Sequence, residues 1–409
     1  MSRRGGVRSW VAATLVLCGL GALPGATLGQ DAAAPKSIRI VYLSREGDPA
    51  YAEVASDDGV FRTPPTEPFP GAELAVHDLR ATARAAGVVL QLDRHVLGPE
   101  ADAAAEATRL AADGAAAIIA DTPMADLIAI ASAHLGDGLP VFDIRQPDDD
   151  LRRDFCGKSM FHVLPSTSMM TDSLAQFVMA KNWRRVLVLT GPLPADRAFS
   201  DSFLASAKKF GIRIVASKSF VYGNDPRQRD QTNVALMTAA DDYDVLFLAD
   251  TLQDFGRFVP YEQARPRPVI GTEGLIATAW DPRAERFGAP QVNHRFERAA
   301  HRPMTAGDWA AWVAVRAIAE AVIRAKATTG PAIETALAHM DLPIDVSKGI
   351  QGSFRPWDHQ FRQSVMLRSG DAVIDYAPIE GFLHQRTPLD TLGADDGDAA
   401  QPQCRTPPP

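Results

Sequence analysis

The chain has 409 residues, 46% of them hydrophobic and 22% charged, and a formal net charge of −8. That length allows a large core and two domains. The negative balance excludes a generic nucleic-acid binder, because nothing neutralises phosphates in bulk. Low aromatic content and many alanines favour packed helices over an all-β design.

The N-terminus opens with Arg3, Arg4 and Arg8, followed by the apolar run WVAATLVLCGLGALPGATLG. Residues 1–29 read as a cleavable secretory signal peptide, cut near Gly29 or within Ala32–Ala34, rather than as a membrane span. Leu17 before Cys18 argues against lipidation, and no later stretch is long and apolar enough to span a bilayer. Export places the chain in the periplasm and leaves two cysteines, Cys156 and Cys404. They form one disulfide that staples the C-terminal tail to the body, or remain two unpaired thiols; both readings stay open.

The β-branched run Ser37–Leu43 reads as a first strand. A Pro-rich loop precedes the helical stretch GAELAVHDLRATARAAG, which Gly87 closes. Val88–Leu92 is a second strand, PEADAAAEATRLAADG a helix, and AAAIIAD and Pro140–Ile144 are further strands. This alternation predicts a parallel sheet covered by helices. The rhythm then restarts. SMMTDSLAQFVMAKNW is a helix that Ser168 would cap, and RRVLVLTG, IRIVASKSF, YDVLFLAD and RPVIGTEG are strands with helices between them. After Gly274 comes a long polar connection, then the amphipathic helix DWAAWVAVRAIAEAVIRAKA, the shorter helix GPAIETALAHM and β character around SVMLRSGDAVIDY. The acidic, Pro-rich tail GADDGDAAQPQCRTPPP is expected to be mobile apart from Cys404.

No phosphate-cradling loop, metalloprotease helix, nucleophile elbow or paired Cys-x-x-Cys module is present, so the chain does not read as an enzyme. Asp148, Asp149 and Asp150 before Arg152 and Arg153 read as a solvated, self-compensating charge run rather than a cation site. In SFRPWDHQFRQSVML, the pair Asp358-His359 invites a catalytic or metal reading. The flanks have strand spacing, however, so the pair is expected in the turn of a C-terminal hairpin, with Asp358 bonded to its own backbone. In open α/β sheets ligands bind beyond the carboxyl ends of the strands. Those ends carry Arg45, Asp121, Thr122, Asp143, Arg145, Asp250, Thr251 and Glu273, and the segment after VLVLTG adds Asp196 and Arg197. If two domains face each other, these residues converge on a cleft built for capture.

Over about residues 37–376 the chain resembles type I periplasmic solute-binding proteins of the branched-chain amino acid-binding group. The crossover FHVLPSTSMMTD, the strand VLFLAD and the sequence IGTEGL stand in that family's order. AWDP with ERFGAPQ, DWAAWVAVRAIAEAV, FRPWDHQFRQ, EGFLHQ and LDTLG resemble the branch encoded beside PQQ-dependent alcohol dehydrogenases. The resemblance implies an α/β fold of two lobes, each a mainly parallel sheet flanked by helices, joined by three crossovers. Lobe one would combine 37–161 with 274–347, lobe two 162–273 with 348–380, and 381–409 would form the tail. It implies the binding component of an ABC importer, a monomer that serves permease and ATPase subunits and requires no cofactor.

The resemblance also assigns residues. Glu273 matches the family's acid for an amino acid's ammonium, and Tyr51 an aromatic from the first loop. The α-carboxylate pocket falls at Asp121-Thr122 and Asp143-Ile144-Arg145, where Arg145 suits a carboxylate and the acids do not. A branched-chain or other amino acid is one ligand reading. The branch points instead to PQQ as a bound ligand, or to a small carboxylate or alcohol-derived solute. Arg45, Arg145 and Arg197 would pair with PQQ, and Trp280 would be either its flat aromatic partner or hinge packing. A non-transport accessory or sensor role beside a periplasmic alcohol oxidation system remains an alternative.

Overall fold

Hydrophobic alternation on a central strand decides how this chain layers. In β1 (Lys36–Arg45), Ile38, Ile40 and Tyr42 face one way and Val41 and Leu43 the other, and all five are buried. Both faces of that strand must therefore be covered, which is the environment of a parallel sheet. The computed structural model describes residues 34–52, 65–133, 138–156, 159–223, 225–239, 242–385 and 387–394. The signal segment, Cys18, residues 53–64 of the first-loop insertion, His134, Cys404 and the tail after Ala394 lie outside the described residues.

Residues 35–409 form one unit that contains two sheets. In the first, β1 pairs with β2 (Val88–Leu97) and β3 (Ala117–Asp121), followed by β4 (Val141–Asp143) and β5 (Met160–His162), in the order β2-β1-β3-β4-β5 and all parallel. The helices of this half are α1 (Phe69–Ala85), α2 (Ala103–Ala112), α3 (Met124–Ala133) and α4 (Asp149–Asp154). In the second half, α5 (Thr167–Ala180) leads to β6 (Arg185–Thr190), α6 (Pro194–Phe210) and β7 (Arg213–Ser219). Short helices α7 (Arg229–Thr232) and α8 (Val234–Ala239) precede β8 (Val245–Ala249), and α9 (Val259–Glu262) precedes β9 (Val269–Gly271) and β10 (Leu275–Thr278). Helices α10 (Ala289–Ala300), α11 (Ala306–Arg324) and α12 (Gly330–His339) return to the first half. The chain ends with β11 (Val365–Ser369), β12 (Ala372–Ala377) and a 3-10 turn at Pro388–Thr391. The second sheet runs β12-β11-β10-β9-β8-β6-β7, antiparallel only at β10-β11 and β11-β12.

Each sheet is sandwiched. Ile38, Ile40 and Tyr42 pack with Trp309, Trp312 and Ile318 of α11, while Val41 and Leu43 pack with Leu110 and Ile130. In the second sheet Val188 and Phe247 meet Phe203 and Leu174, and Leu189 and Leu246 meet Tyr243 and Val259 on the other face. Each such apolar side chain contributes roughly 1.5–3 kcal/mol on burial. The two lobes expected from the resemblance are these two sandwiches.

The crossovers differ in detail from expectation. The chain leaves lobe one between β5 and α5. Strand β10, expected at the start of the second lobe-one segment, belongs to the lobe-two sheet. It lies between β9 and β11, because the left-handed turn at Gly274 (φ 73°) starts a new strand instead of ending the sheet. Residues 348–361, expected in lobe two, stay with lobe one. Bridges Ile344↔Gly352, Phe354↔Phe361 and His162↔Gln360 hold them there, and the return to lobe two falls at 362–364. The polar stretch read as a connection contains α10, whose Val292 and Phe296, one turn apart, are buried. Ser166, not Ser168, caps α5, accepting from the Met169 N–H at 3.2 Å, while Ser168 bonds Asp149. The acidic run is not simply solvated. Asp149 ties into α5, and the buried Arg152 donates to Gln360 (2.8 Å), Gln146 O, Asp148 O and Leu164 O.

β5 ends on a buried pair. His162 Nδ1 lies 2.9 Å from Asp143 Oδ2, and the Asp143 carboxylate also accepts from the N–H groups of Arg145 and Gln146. Among the described residues His162 Nε2 is buried without a partner, so a proton there would be an unsatisfied donor. Burial, with the nearby Arg152 charge, pushes the imidazole down to about 4 despite Asp143. Asp143 is itself pushed up by burial, but its bonds to His162 and the charges around it hold it below the usual carboxylate range.

Two outcomes follow. An added Cβ at Gly71 would sit 1.9 Å from Asp308 O, so α1 and α11 touch through backbone; Gly71→Ala should lower unfolding free energy by about 1–3 kcal/mol or more in urea titrations. Between about pH 6.5 and 4 the unfolded chain takes up a proton that folded His162 refuses, so stability falls as pH drops through that window. Denaturation at pH 7.5 and 4.5 should show His162→Gln losing about 2–3 kcal/mol less than wild type over the same step.

Candidate functional site

At the carboxyl ends of the lobe-one strands the loops leave a cavity of about 230 Å³. Its walls come from Tyr51, Pro65, Thr66, Pro68, Asp121, Ile144, Arg145, Leu164, Thr305, Ala306 and Gly307. Asp121 ends β3 and is buried between two phenols: Tyr51 donates to Oδ1 at 2.6 Å and Tyr42 to Oδ2 at 2.7 Å. Burial pushes the Asp121 carboxyl up, and the two hydroxyls and Arg145 only partly offset that. Burial and the Asp121 charge push both tyrosines up as well, so they stay protonated donors.

Arg145 follows β4. It forms an ion pair with Asp48, which caps the 3-10 turn at Pro49–Tyr51, and lies 3.8 Å from Asp121 Oδ1. Its guanidinium stands 5.5 Å from the Tyr51 ring centroid. Burial pushes Asp48 up, but Arg145 and the Ala50 N–H more than reverse this and hold it low. The opposite wall is the N-terminus of α11. Thr305 and Asp308 form a reciprocal capping box, with Asp308 N donating to Thr305 Oγ1 (3.2 Å) and Thr305 N to Asp308 Oδ2 (2.8 Å). Ala306 and Gly307, whose N–H groups have no partner within the helix, lie at the cavity wall. The cavity thus offers one cation, one helix N-terminus and an apolar floor of Ile144, Leu164 and prolines.

Of the strand-end residues singled out from the sequence, Tyr51, Asp121 and Arg145 line this cavity. The others have different work. Arg45 is spent on Asp126 (2.5 and 2.8 Å) and on the carbonyls of Gly98, Pro99 and Ala101. Thr122 is buried, with its hydroxyl unpartnered among the described residues. Asp143 is closed off with His162. In lobe two, Asp196 accepts from Thr251 N and Oγ1 (2.6 and 2.7 Å) and from Leu193 N, fixing one loop onto another. Asp250 gathers Tyr222, Gln253 N, Phe255 N and Gly256 N. Arg197 is exposed and donates to Pro192 O. Glu273 is half-buried and accepts from the Gly274 N–H.

Trp280 is 3% exposed, bonds Asn293 through Nε1 (2.8 Å) and stacks on Trp309 in the lobe-one core. Of its two readings the structure places it in packing. Residues not anticipated are Asp48, Tyr42, the prolines of the first loop and the start of α11. The Thr-x-x-Asp spacing at Thr305–Asp308 was a usable signal for the last of these. Cys156 is disulfide-bonded; its expected partner Cys404 lies outside the described residues.

Asp358-His359 sits in the turn of a tight hairpin closed by Arg355 N→Gln360 O and Phe354↔Phe361, between the two flanks read from the sequence, and this hairpin lies against β5. Asp358 does bond its own backbone, accepting from Gln360 N at 3.0 Å. His359 (φ 50°) stacks on Phe161 at 4.7 Å and is 3% exposed. Among the described residues no three His, Cys, Asp or Glu side chains are grouped to hold a metal, and no helix is long and apolar enough to cross a membrane.

A family model described as periplasmic binding protein matches residues 70–265. No curated protein matches the sequence significantly. An ABC transporter substrate-binding protein from Desulfitobacterium hafniense, in complex with Leu, superposes with a TM-score of 0.65 at 20% identity, covering 83% of this chain and 100% of that one. The branched-chain amino acid transporter substrate binding protein of Streptococcus pneumoniae, in complex with isoleucine, gives 0.58 at 17% identity, covering 83% and 99%. A solute binding protein of an ABC transporter from R. palustris, in complex with benzoate, gives 0.56 at 14% identity, covering 83% and 96%. Two mainly parallel sheets, their helical cover, three crossovers and these superpositions together give the chain the type I periplasmic binding protein fold.

Proposed function

We propose that the chain is the periplasmic solute-binding component of an ABC importer, handing its cargo to permease and ATPase subunits. We further propose that the cargo is a small solute with an anionic group, such as a carboxylate, on an apolar body. The observation that carries this reading is the lobe-one cavity, where Arg145 and the N-terminus of α11 flank an apolar floor. Asp121 does not oppose an anion strongly, because two phenols and Arg145 surround its carboxylate. Support also comes from the structural neighbours, whose bound leucine, isoleucine and benzoate all carry a carboxylate.

PQQ, a flat tricarboxylate quinone, fits these residues poorly. Arg45 has no donor left for it, Trp280 offers no exposed ring face, and the cavity falls short of the roughly 300–1,000 Å³ of drug-sized sites.

Calorimetric titration of the purified protein with benzoate, leucine and PQQ tests the proposal. Saturable binding of benzoate or leucine is expected, weakened about tenfold or more by Arg145→Gln, since a charge-assisted hydrogen bond is worth about 1.5–3 kcal/mol. Arg197→Ala should leave affinity unchanged. Tight PQQ binding, or carboxylate binding indifferent to Arg145, would overturn the reading.

A further inference from the structure

Residues 387–394, of which only Gly393 and Ala394 fall in the stretch expected to be mobile, touch both lobes. On the lobe-one side stands the hairpin Phe354–Phe361. Its Phe354 packs on Phe142 and Phe161 of the first sheet (6.1 and 4.9 Å between centroids), and Gln360 bridges to His162. From this hairpin and the residue after it, Arg355 and Arg362 reach Asp390. Arg355 Nε donates at 3.1 Å and Arg362 Nε at 2.8 Å, both to Oδ1. Arg355 also donates to Leu392 O (2.6 Å) and Ala394 O (3.2 Å). All three charged side chains are buried: Arg355 is 1% exposed, Asp390 5% and Arg362 7%.

On the lobe-two side the same stretch is held by α5 and α6. Leu392 enters the lobe-two core beside Met169 and Leu174. Gly393 N donates to Asp172 Oδ2 at 2.8 Å, and Lys209 donates to Asp172 (2.7 Å) and to the carbonyls of Thr391 and Gly393 (both 3.0 Å). A Cβ at Gly393 would come within 2.8 Å of Met169 Cγ, so the strap lies flush on α5.

We propose that residues 388–394 are an interlobe latch beside the crossovers, restricting how far the lobes rotate. The strap follows lobe two through its apolar and lysine anchors. Rotation must therefore pull Asp390 from Arg355 and Arg362, leaving buried charges unpaired, or tear the Lys209 anchor. This holds whichever solute the cleft takes.

Spin labels at Thr82 on α1 and Asp201 on α6, both exposed, report the interlobe distance distribution in the full chain with its disulfide intact. With no ligand present, wild type should give a narrow distribution. Asp390→Asn and Lys209→Met should each widen it at least twofold while far-UV circular dichroism stays unchanged. Because cutting either end frees the same strap, the double variant should be no wider than the singles. Unchanged widths in folded single variants, or an additive double variant, would overturn the latch. Should Asp390→Asn fail to fold, Lys209→Met, at a half-exposed side chain, decides alone.

Discussion

The junction between the lobes is built around one buried lysine amino group. Lys348 is 1% exposed and among the described residues pairs with no carboxylate; burial pushes its pKa well below the ordinary lysine range. Its Nζ stands 3.5 Å from the Trp309 ring centroid and donates to Gln363 Oε1 (2.8 Å) and Ser364 O (3.2 Å). Gln363 in turn donates to Val163 O at 2.7 Å, and Trp309 stacks on Trp280. Residues from all three crossovers are thus gathered around a group that would be costly to bury without those partners. The sheets can be built independently, but their relation to each other rests on this cluster. Arg152, Asp149 and the C-terminal strap surround it with further ties.

Most of the fold was legible because parallel strands buried on both faces leave unbroken apolar runs. What escaped was short or disguised. β5 is three residues long and reads as part of a connection. β10 follows a glycine turn that looked like an ending. α10 carries only a narrow apolar seam on a polar helix. Lys348 is placed at a crossover by the resemblance alone, and its burial has no signal, since lysine is normally a surface residue and this one is among the most buried side chains. The tail from Gly393 onward reads as mobile from its acidic, proline-rich composition, but Gly393 itself is bonded to Asp172 and Lys209. Just before it Leu389 and Leu392 are core residues, and two apolar side chains among so many polar ones leave no periodic signal.

The site was legible as a place and not as a set of residues. Strand-end Asp and Thr do two jobs in α/β proteins: they meet ligands, and they pin the loops that follow. Sequence does not separate these, since both need an oxygen near backbone N–H groups. Asp196 and Asp250 turn out to be loop pins, and Arg45 is a clamp on the segment entering α2. Tyr51, Asp121 and Arg145 differ because side chains far apart in sequence converge on them. That convergence depends on Asp48 and Tyr51, just after β1, reaching the ends of β4 and β3, which a linear reading cannot see.

The cavity's walls all belong to lobe one or to the first crossover, through Leu164. With capture at this cavity, as proposed above, that lopsidedness gives capture an order in time. A solute would settle on lobe one while the cleft is open, its arrival rate set by one preformed surface and its charges. Lobe two, whose Asp196 and Asp250 are committed to their own loops, would then act as a cover and govern how long the solute stays. Differences in affinity among competing solutes would therefore lie mainly in residence time, with encounter rates nearly alike.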